Sequence, residues 1–218
     1  MTTTPEFTLH WIIDPLCGWS YGALPLLHAT AAAWPNNNQL HAGGLFVGYS
    51  RRRIDDEWHL HVSEHDARIA EITGATFGDN YRTKLCRDVS VVLDSLPASA
   101  AMLAVQQHSF RDALALLSAA QHAWYVDGKN ITQIAVLNEL AAEVGIDAKV
   151  RPAARSDAAK ENANQAIKQT RQLMAQTGAQ GFPSLVVQRG GQFINVPINR
   201  FYGAPAALVN QLQQWLSA

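Results

Sequence analysis

What most limits how this chain can fold is the placement of its strand-like segments. Residues 7–13, FTLHWII, begin with alternation and end as an apolar run stopped by Asp14-Pro15, the pattern of a buried strand that ends abruptly. Residues 184–189 and 192–196 read as two more strands joined through Gly190-Gly191, a pair suited to a tight hairpin turn that needs positive φ. A further strand is expected in LHAGGLFVG, residues 40–48. Between residue 51 and about residue 150 the apolar residues recur instead at three- and four-residue spacing. A sheet whose strands come from both ends of the chain must close around whatever the middle forms. The order β-α-β, a long helical block, then α-β-β-α predicts an α/β domain, residues 1–48 with 150–218, interrupted by an all-helical insertion over residues 49–149.

The helices carry their own punctuation. From Gly18 to Trp34 the residues Tyr21, Leu24, Leu27, Ala31 and Trp34 share one face, and Pro35 with Asn36, Asn37 and Asn38 ends it. In the middle, residues 97–107 open at Pro97. Residues 109–126 open at Ser109 and Asp112, which resemble a capping box, carry Phe110, Leu114, Leu117 and Trp124 inward, and close at Asp127-Gly128. Thr132 to Val144 repeats the plan, with Ile134, Leu137, Leu140 and Ala141 inward and Gly145 past its end. Residues 156–177 are polar and helical. The last helix opens at Pro205 with Leu208, Leu212 and Trp215 as its inward stripe.

Charge excludes some partners. The formal net charge is -1, and the only dense basic run, Arg51-Arg52-Arg53, is expected in a solvated loop. No basic face for nucleic acid is therefore expected. No stretch reaches the ~18 apolar residues of a spanning helix. The start, MTTTPEFTLHWIID, lacks the basic and apolar regions of a secretory signal, which predicts a cytoplasmic protein with no membrane partner. In a reducing compartment Cys17 and Cys86 are not expected to form a structural disulfide, so each needs an explanation in reactivity or burial.

Cys17 follows the first strand and stands at the mouth of a helix, where unpaired N–H groups and the helix dipole favour an anion, so an acidified thiol is expected. Gly18 lets the backbone approach the sulfur, and Ser20, about one turn on, can point a donor at it. Far along the chain, Pro183 after Gly181-Phe182 stands at the first residue of an apolar strand, where its missing N–H does no harm. A cis Phe182-Pro183 bond would hold that turn against the Cys17 loop and offer the Phe182 backbone to an extended substrate. Trp19, Tyr21 and Phe182 would then surround the thiol as a partly apolar groove, and Asp14 caps the turn before it. Cys86, in YRTKLCRDVS, reads as a small buried apolar residue with nothing to place it near Cys17. His59, His61 and His65 cluster with Glu57, Glu64 and Asp66, but the order H-V-S-E-H lacks the metalloprotease pattern, so a polar helix face and no metal are expected. His10 lies too far back along its strand to act on Cys17, ~20 Å if extended.

Taken together, DPLCGWSYG after a first strand, LDSLPASAAMLAV, AAQHAWYVDGKNIT and GFPSLVV before the terminal hairpin resemble the cytosolic members of the DsbA-like branch of the thioredoxin superfamily. Pro25 also matches the kinking proline of the thioredoxin active-site helix. The resemblance implies a thioredoxin-like fold, a cis proline at Pro183, a nucleophile at Cys17, substrate contacts at Gly18, Trp19, Phe182 and Pro183, and thiol–disulfide exchange on a peptide or small-molecule substrate. It implies no tightly bound cofactor. Where the family motif, Asp-Pro-x-Cys-x-Trp-Cys, has its second cysteine, this chain has Ser20, and a hydroxyl cannot attack a mixed disulfide. Three readings stay open: a monothiol whose mixed disulfide is resolved by glutathione or another external thiol, a Ser20 that supports a glutathione thiolate as in kappa-class transferases, or a serine introduced to trap the intermediate. A silent fold that binds peptides or thiols in the same groove is the non-enzymatic rival.

Overall fold

The computed structural model describes residues 7–147 and 156–217, so the domain boundary expected at residues 149–150 lies outside the described residues. Strand β1 (Phe7–Ile13) leads into α1 (Gly18–Gly22), α2 (Leu24–Ala33) and β2 (Asn38–Ala42). The middle of the chain contributes β3 (Arg52–Arg53), α3 (Asp56–Thr73), α4 (Asp79–Thr83), β4 (Val92–Leu93), α5 (Leu96–Gln106), α6 (Phe110–Tyr125) and α7 (Ile134–Glu143). The chain then returns with α8 (Asp157–Thr177), β5 (Ser184–Arg189), β6 (Gln192–Val196) and α9 (Pro205–Ser217). Strands β2-β1-β5-β6 form one mixed sheet, with β1 parallel to β2 and antiparallel to β5. This is the mixed α/β fold of a thioredoxin-like domain with a helical insertion.

The central strand explains why the ends of the chain meet. Leu9, Trp11 and Ile13 point to one face of the sheet and join the main apolar cluster with Leu26 and Leu27 of α2 and Leu208 and Leu212 of α9. Trp11 Nε1 donates to Thr30 Oγ1 of α2 at 3.1 Å, so the indole is buried without leaving its N–H unpaired. Ile12, one residue out of phase, packs on the other face with Val186 and with Met174 of α8. Each of these large side chains, fully buried, contributes roughly 1.5–3 kcal/mol relative to exposure. The register sets Ile12 opposite Ser184, which carries Pro183 and Phe182 to the end of β1, where Asp14 begins the Cys17 loop.

Several boundaries differ from expectation for local reasons. The helix expected over 18–34 is two helices broken at Ala23, because Pro25 lacks an N–H and its ring would clash with the carbonyl of Tyr21. The second strand runs Asn38–Ala42 rather than 40–48. Asn38, expected in the turn, is buried with its amide donating to Thr30 O and Trp34 O, and Gly44 at φ +67° ends the strand's path. In the last helix Leu216, not Trp215, completes the inward stripe, since positions 208, 212 and 216 keep four-residue spacing while Trp215 is 36% exposed. Arg52 and Arg53 pair with Val92 and Leu93 in a short ribbon rather than a free loop, and Arg51 holds Asp94 at 3.0 Å. No helix among the described residues is long and apolar enough to cross a membrane.

Candidate active site

The site is built on a buried carboxylate. Asp14, fully buried, takes hydrogen bonds from Leu16 N (3.0 Å) and Ser95 Oγ (2.8 Å) on Oδ1 and from Leu45 N (2.7 Å) on Oδ2. Its bond to Leu16 N closes the turn expected of it. The other two tie the end of β1 to the segment after β2 and to the start of α5. Gln121 of α6 donates to the carbonyls of Asp14 and Pro15, both at 3.4 Å. Burial pushes the Asp14 carboxyl upward, opposed by these hydrogen bonds and by the Arg171 charge.

Cys17 is the N-cap residue of α1, in extended conformation, and its thiol donates to Phe182 O at 3.4 Å. The Phe182-Pro183 bond is cis. Ser20 is buried; its Oγ accepts from Asp14 N at 3.2 Å and bonds to the Cys17 sulfur. Backbone N–H groups of Ser20 and Trp19 also favour the thiolate, yet burial outweighs them and, with the Asp14 charge adding to it, pushes the thiol up to about 11. The expected acidified thiol is therefore corrected. Helix α1 has only five residues, and Cys17 is 8% exposed, so little water is left to solvate the anion.

Two recesses lie beside the Cys17 loop; Cys17 itself lines only the second, while the first is reached through its hydrogen-bond partner Phe182 and its neighbour Trp19. The first is an open groove of about 420 Å³ lined by Trp19, Gln180, Phe182, Pro183, Asn195 and Tyr202. Trp19 and Tyr202 lie 5.6 Å apart, and Phe182 is fixed from behind: the Arg171 guanidinium sits 4.8 Å from its ring, and a Cβ on Gly43 would come within 2.2 Å of it. The second is a cavity of about 210 Å³ on the insertion side, walled by Cys17, Trp58, Asp66, Tyr81, Cys86 and Tyr125. Trp19 borders both recesses.

The structure brings together Cys17, Ser20, Trp19, Phe182 and Pro183. Gly18 is there for a different reason from the one expected: a Cβ would meet Ile69 Cδ1 at 2.9 Å and Asp66 Oδ1 at 3.2 Å, so the missing side chain lets α3 pack on α1. Tyr21 lines neither recess; it stacks on Tyr125 at 4.8 Å and donates to Thr76 O. Cys86 was not expected near Cys17, but both thiols face the same cavity, and burial pushes Cys86 up to about 12. His10 shares its ring nitrogens with His41 and Gln188 at 2.9 Å each. His61 and His65, 4.4 Å apart ring to ring, border the cavity, and no group of three or more metal-ligating side chains is gathered among the described residues. Sequence reasoning grouped Asp66 with the polar face of α3 and missed its burial beside Cys17, although a carboxylate between Val62 and Ile69 was a visible signal.

A family described as DSBA-like thioredoxin domain matches residues 8–206. The cytosolic disulfide reductase DsbM from Pseudomonas aeruginosa is similar in structure at TM-score 0.87 and 36% identity, covering 96% of this chain and 98% of that one. The same protein with glutathione matches at TM-score 0.86 and 35% identity, covering 97% and 100%. The fold extends to Pseudomonas aeruginosa DsbA at TM-score 0.53 and 14% identity, covering 100% of this chain and 85% of that one. No curated protein matches the chain in sequence.

Proposed function

The chain belongs to the DSBA-like thioredoxin domain family and is a thiol–disulfide oxidoreductase, and from that premise we propose that it works through the single thiol of Cys17, with glutathione or another external thiol completing each turnover. The observation that carries this reading is the Cys17 thiol on the Phe182 carbonyl beside the groove, with a hydroxyl, Ser20, in place of a second sulfur. A disulfide RS–SR′ lying in the groove presents one sulfur to Cys17. The thiolate attacks it, the Cys17–SR bond forms, and R′S⁻ leaves. Ser20 holds its O–H on the Cys17 sulfur while that sulfur carries charge, both as nucleophile and as leaving group. A second thiol then attacks the R sulfur, releasing the Cys17 thiolate and a new disulfide.

Glutathione as co-substrate is supported by the glutathione-containing structure of the similar disulfide reductase, and a cytoplasmic location by that protein's description as cytosolic. Activation of a glutathione thiolate by Ser20 alone is the weaker reading, because this hydroxyl is buried and already engaged by Asp14 N and Cys17. Mixing the protein with oxidised glutathione and mapping the product by peptide mass spectrometry tests the proposal. One glutathione on Cys17, lost on adding reduced glutathione and absent in Cys17→Ala, is the expected result. A chain that stays unmodified, or conjugation of a chromogenic electrophile that survives Cys17→Ala, would overturn it.

A further inference from the structure

The mechanism leaves one difficulty: a thiol with its ordinary ionisation displaced to about 11 is almost entirely protonated near neutrality, and the exchange reaction needs the thiolate. Something must take the proton. Asp14 is a poor acceptor, because both of its oxygens are already occupied by Leu16 N, Ser95 Oγ and Leu45 N. Asp66 is differently placed. It projects from α3 of the insertion into the cavity that Cys17 also walls, and its Oδ2 accepts from Tyr81 Oη at 2.8 Å. Its Oδ1 accepts no hydrogen bond from the described residues and lies where a Cβ on Gly18 would be 3.2 Å away, beside the residue that follows the nucleophile.

We propose that Asp66 is the proton acceptor and donor for the Cys17 thiol, working across the cavity between α1 and the insertion. The proposal rests on thiol–disulfide exchange at Cys17. In the resting protein the S–H points at Phe182 O on the groove side. When a substrate N–H takes that carbonyl, rotation about Cβ–Sγ turns the S–H toward the cavity. The Cys17 proton passes to the Asp66 carboxylate, directly or through one water, for which about 210 Å³ leaves room. The thiolate then attacks the substrate disulfide, and the departing R′S⁻ takes the proton back, so no charge accumulates in the buried site. In the second half-reaction Asp66 takes the proton of the incoming thiol and returns it to Cys17.

The environment of Asp66 suits a group that gains and loses a proton. Burial pushes its carboxyl up to about 7, against the Tyr81 hydrogen bond and the Arg82 charge. The titratable groups around it are Tyr81 and Arg82 from α4, Cys86 from the turn after α4, Tyr125 from α6, and His61 and His65, which line the same cavity from its own helix. Tyr81, Tyr125 and Cys86 are all held protonated well above neutrality by burial, so none of the three can take the Cys17 proton in place of Asp66. The histidines are the rival acceptors.

The test is the pH profile of the rate at which oxidised glutathione modifies Cys17, followed by intact mass, in the wild-type chain, in Asp66→Asn, and in His61→Ala/His65→Ala. Asn keeps an acceptor for Tyr81 Oη, so this variant retains the local hydrogen bond. With Asp66 as acceptor, the wild-type rate rises to about pH 7 and then levels off. In Asp66→Asn the rate falls ~100-fold at pH 7 and climbs about tenfold per pH unit up to the thiol ionisation. A purely structural role would lower the rate at every pH without changing the shape. An unchanged profile in Asp66→Asn, a uniform drop, or loss of the plateau in the histidine variant instead would overturn the proposal. Failure of the wild-type chain to form any adduct would count against Cys17 exchange itself, a different result from these.

Discussion

Two aspartates lie close to the Cys17 loop, and both are buried, yet their surroundings are opposite. Asp14 spends both oxygens on three donors from three separate segments, and its position at the end of β1 fixes where the Cys17 loop starts. Asp66 has one hydrogen-bond donor among the described residues, Tyr81, and lines a cavity. The first arrangement is a latch between the sheet and the insertion; the second leaves a carboxyl free to change its protonation. Burial alone therefore says little about what a carboxylate does. The number of donors that meet it decides whether it can be spared for chemistry.

The largest effect should come from breaking the latch. Asp14→Ala strands the Leu16 and Leu45 N–H groups and the Ser95 hydroxyl in a dry interior, at about 1–3 kcal/mol for each unsatisfied group. Urea titration should show a loss of about 3 kcal/mol or more, and a loss under about 1 kcal/mol would break the contrast. Asp66→Asn should do the reverse at alkaline pH. A carboxyl raised to about 7 in the folded chain but ordinary in the unfolded one binds its proton more tightly when folded. Its contribution is then fully present below the ordinary carboxylate range and is lost as pH rises through about 7. Asn carries no such loss, so at pH 8 the variant should be more stable than the wild type by on the order of 1–3 kcal/mol, with the gap closing toward pH 4. Equal pH dependence of the two chains, measured by denaturant midpoints, would remove Asp66 from its special place.

A third change sharpens the chemical side. Ser20→Cys puts a sulfur where the hydroxyl now touches Cys17, and the glutathione adduct should be replaced by an internal disulfide, seen as loss of two hydrogens and of the added mass. A persistent adduct in that variant would mean that the position is not aligned for attack. The smallest effect is expected from Gly18→Ala, whose Cβ meets Ile69 Cδ1 at 2.9 Å and Asp66 Oδ1 at 3.2 Å. Because a flexible side-chain end can shift, a loss of about 1 kcal/mol in thermal unfolding is expected. The same shift should move Asp66 and alter the pH profile of adduct formation.

The parts of this molecule legible in its sequence are those written in local pattern. Strands β5 and β6 and their glycine turn follow from alternation and punctuation, and so does helix α6 with Ser109 accepting from Asp112 N; α8 follows from its helical pattern, while its cap at Ser156 is seen only in the structure. Phe182-Pro183 beside Cys17 was reachable through the family resemblance, because a strand register converts two distant motifs into neighbours. The charge state of Cys17 was not legible: a helix start favours the anion, and only the packing of the insertion over it shows that desolvation wins. The same packing hid the meeting of Cys17, Cys86 and Asp66, which depends on how α3 and the turn after α4 lie on α1. The two glycines that permit this contact, Gly18 and Gly22, stand one helical turn apart against Ile69 and Thr73, a cue that no pattern of apolar residues reports.

The central claim, a single working thiol discharged from outside, is tested most directly by the kinetics of discharge. The Cys17–glutathione adduct is isolated and its loss followed at increasing concentrations of reduced glutathione. External attack predicts a rate proportional to the added thiol that extrapolates to zero without it, leaving both Cys17 and Cys86 as free thiols. A rate that persists at zero added thiol, with a Cys17–Cys86 disulfide as product, would contradict the account.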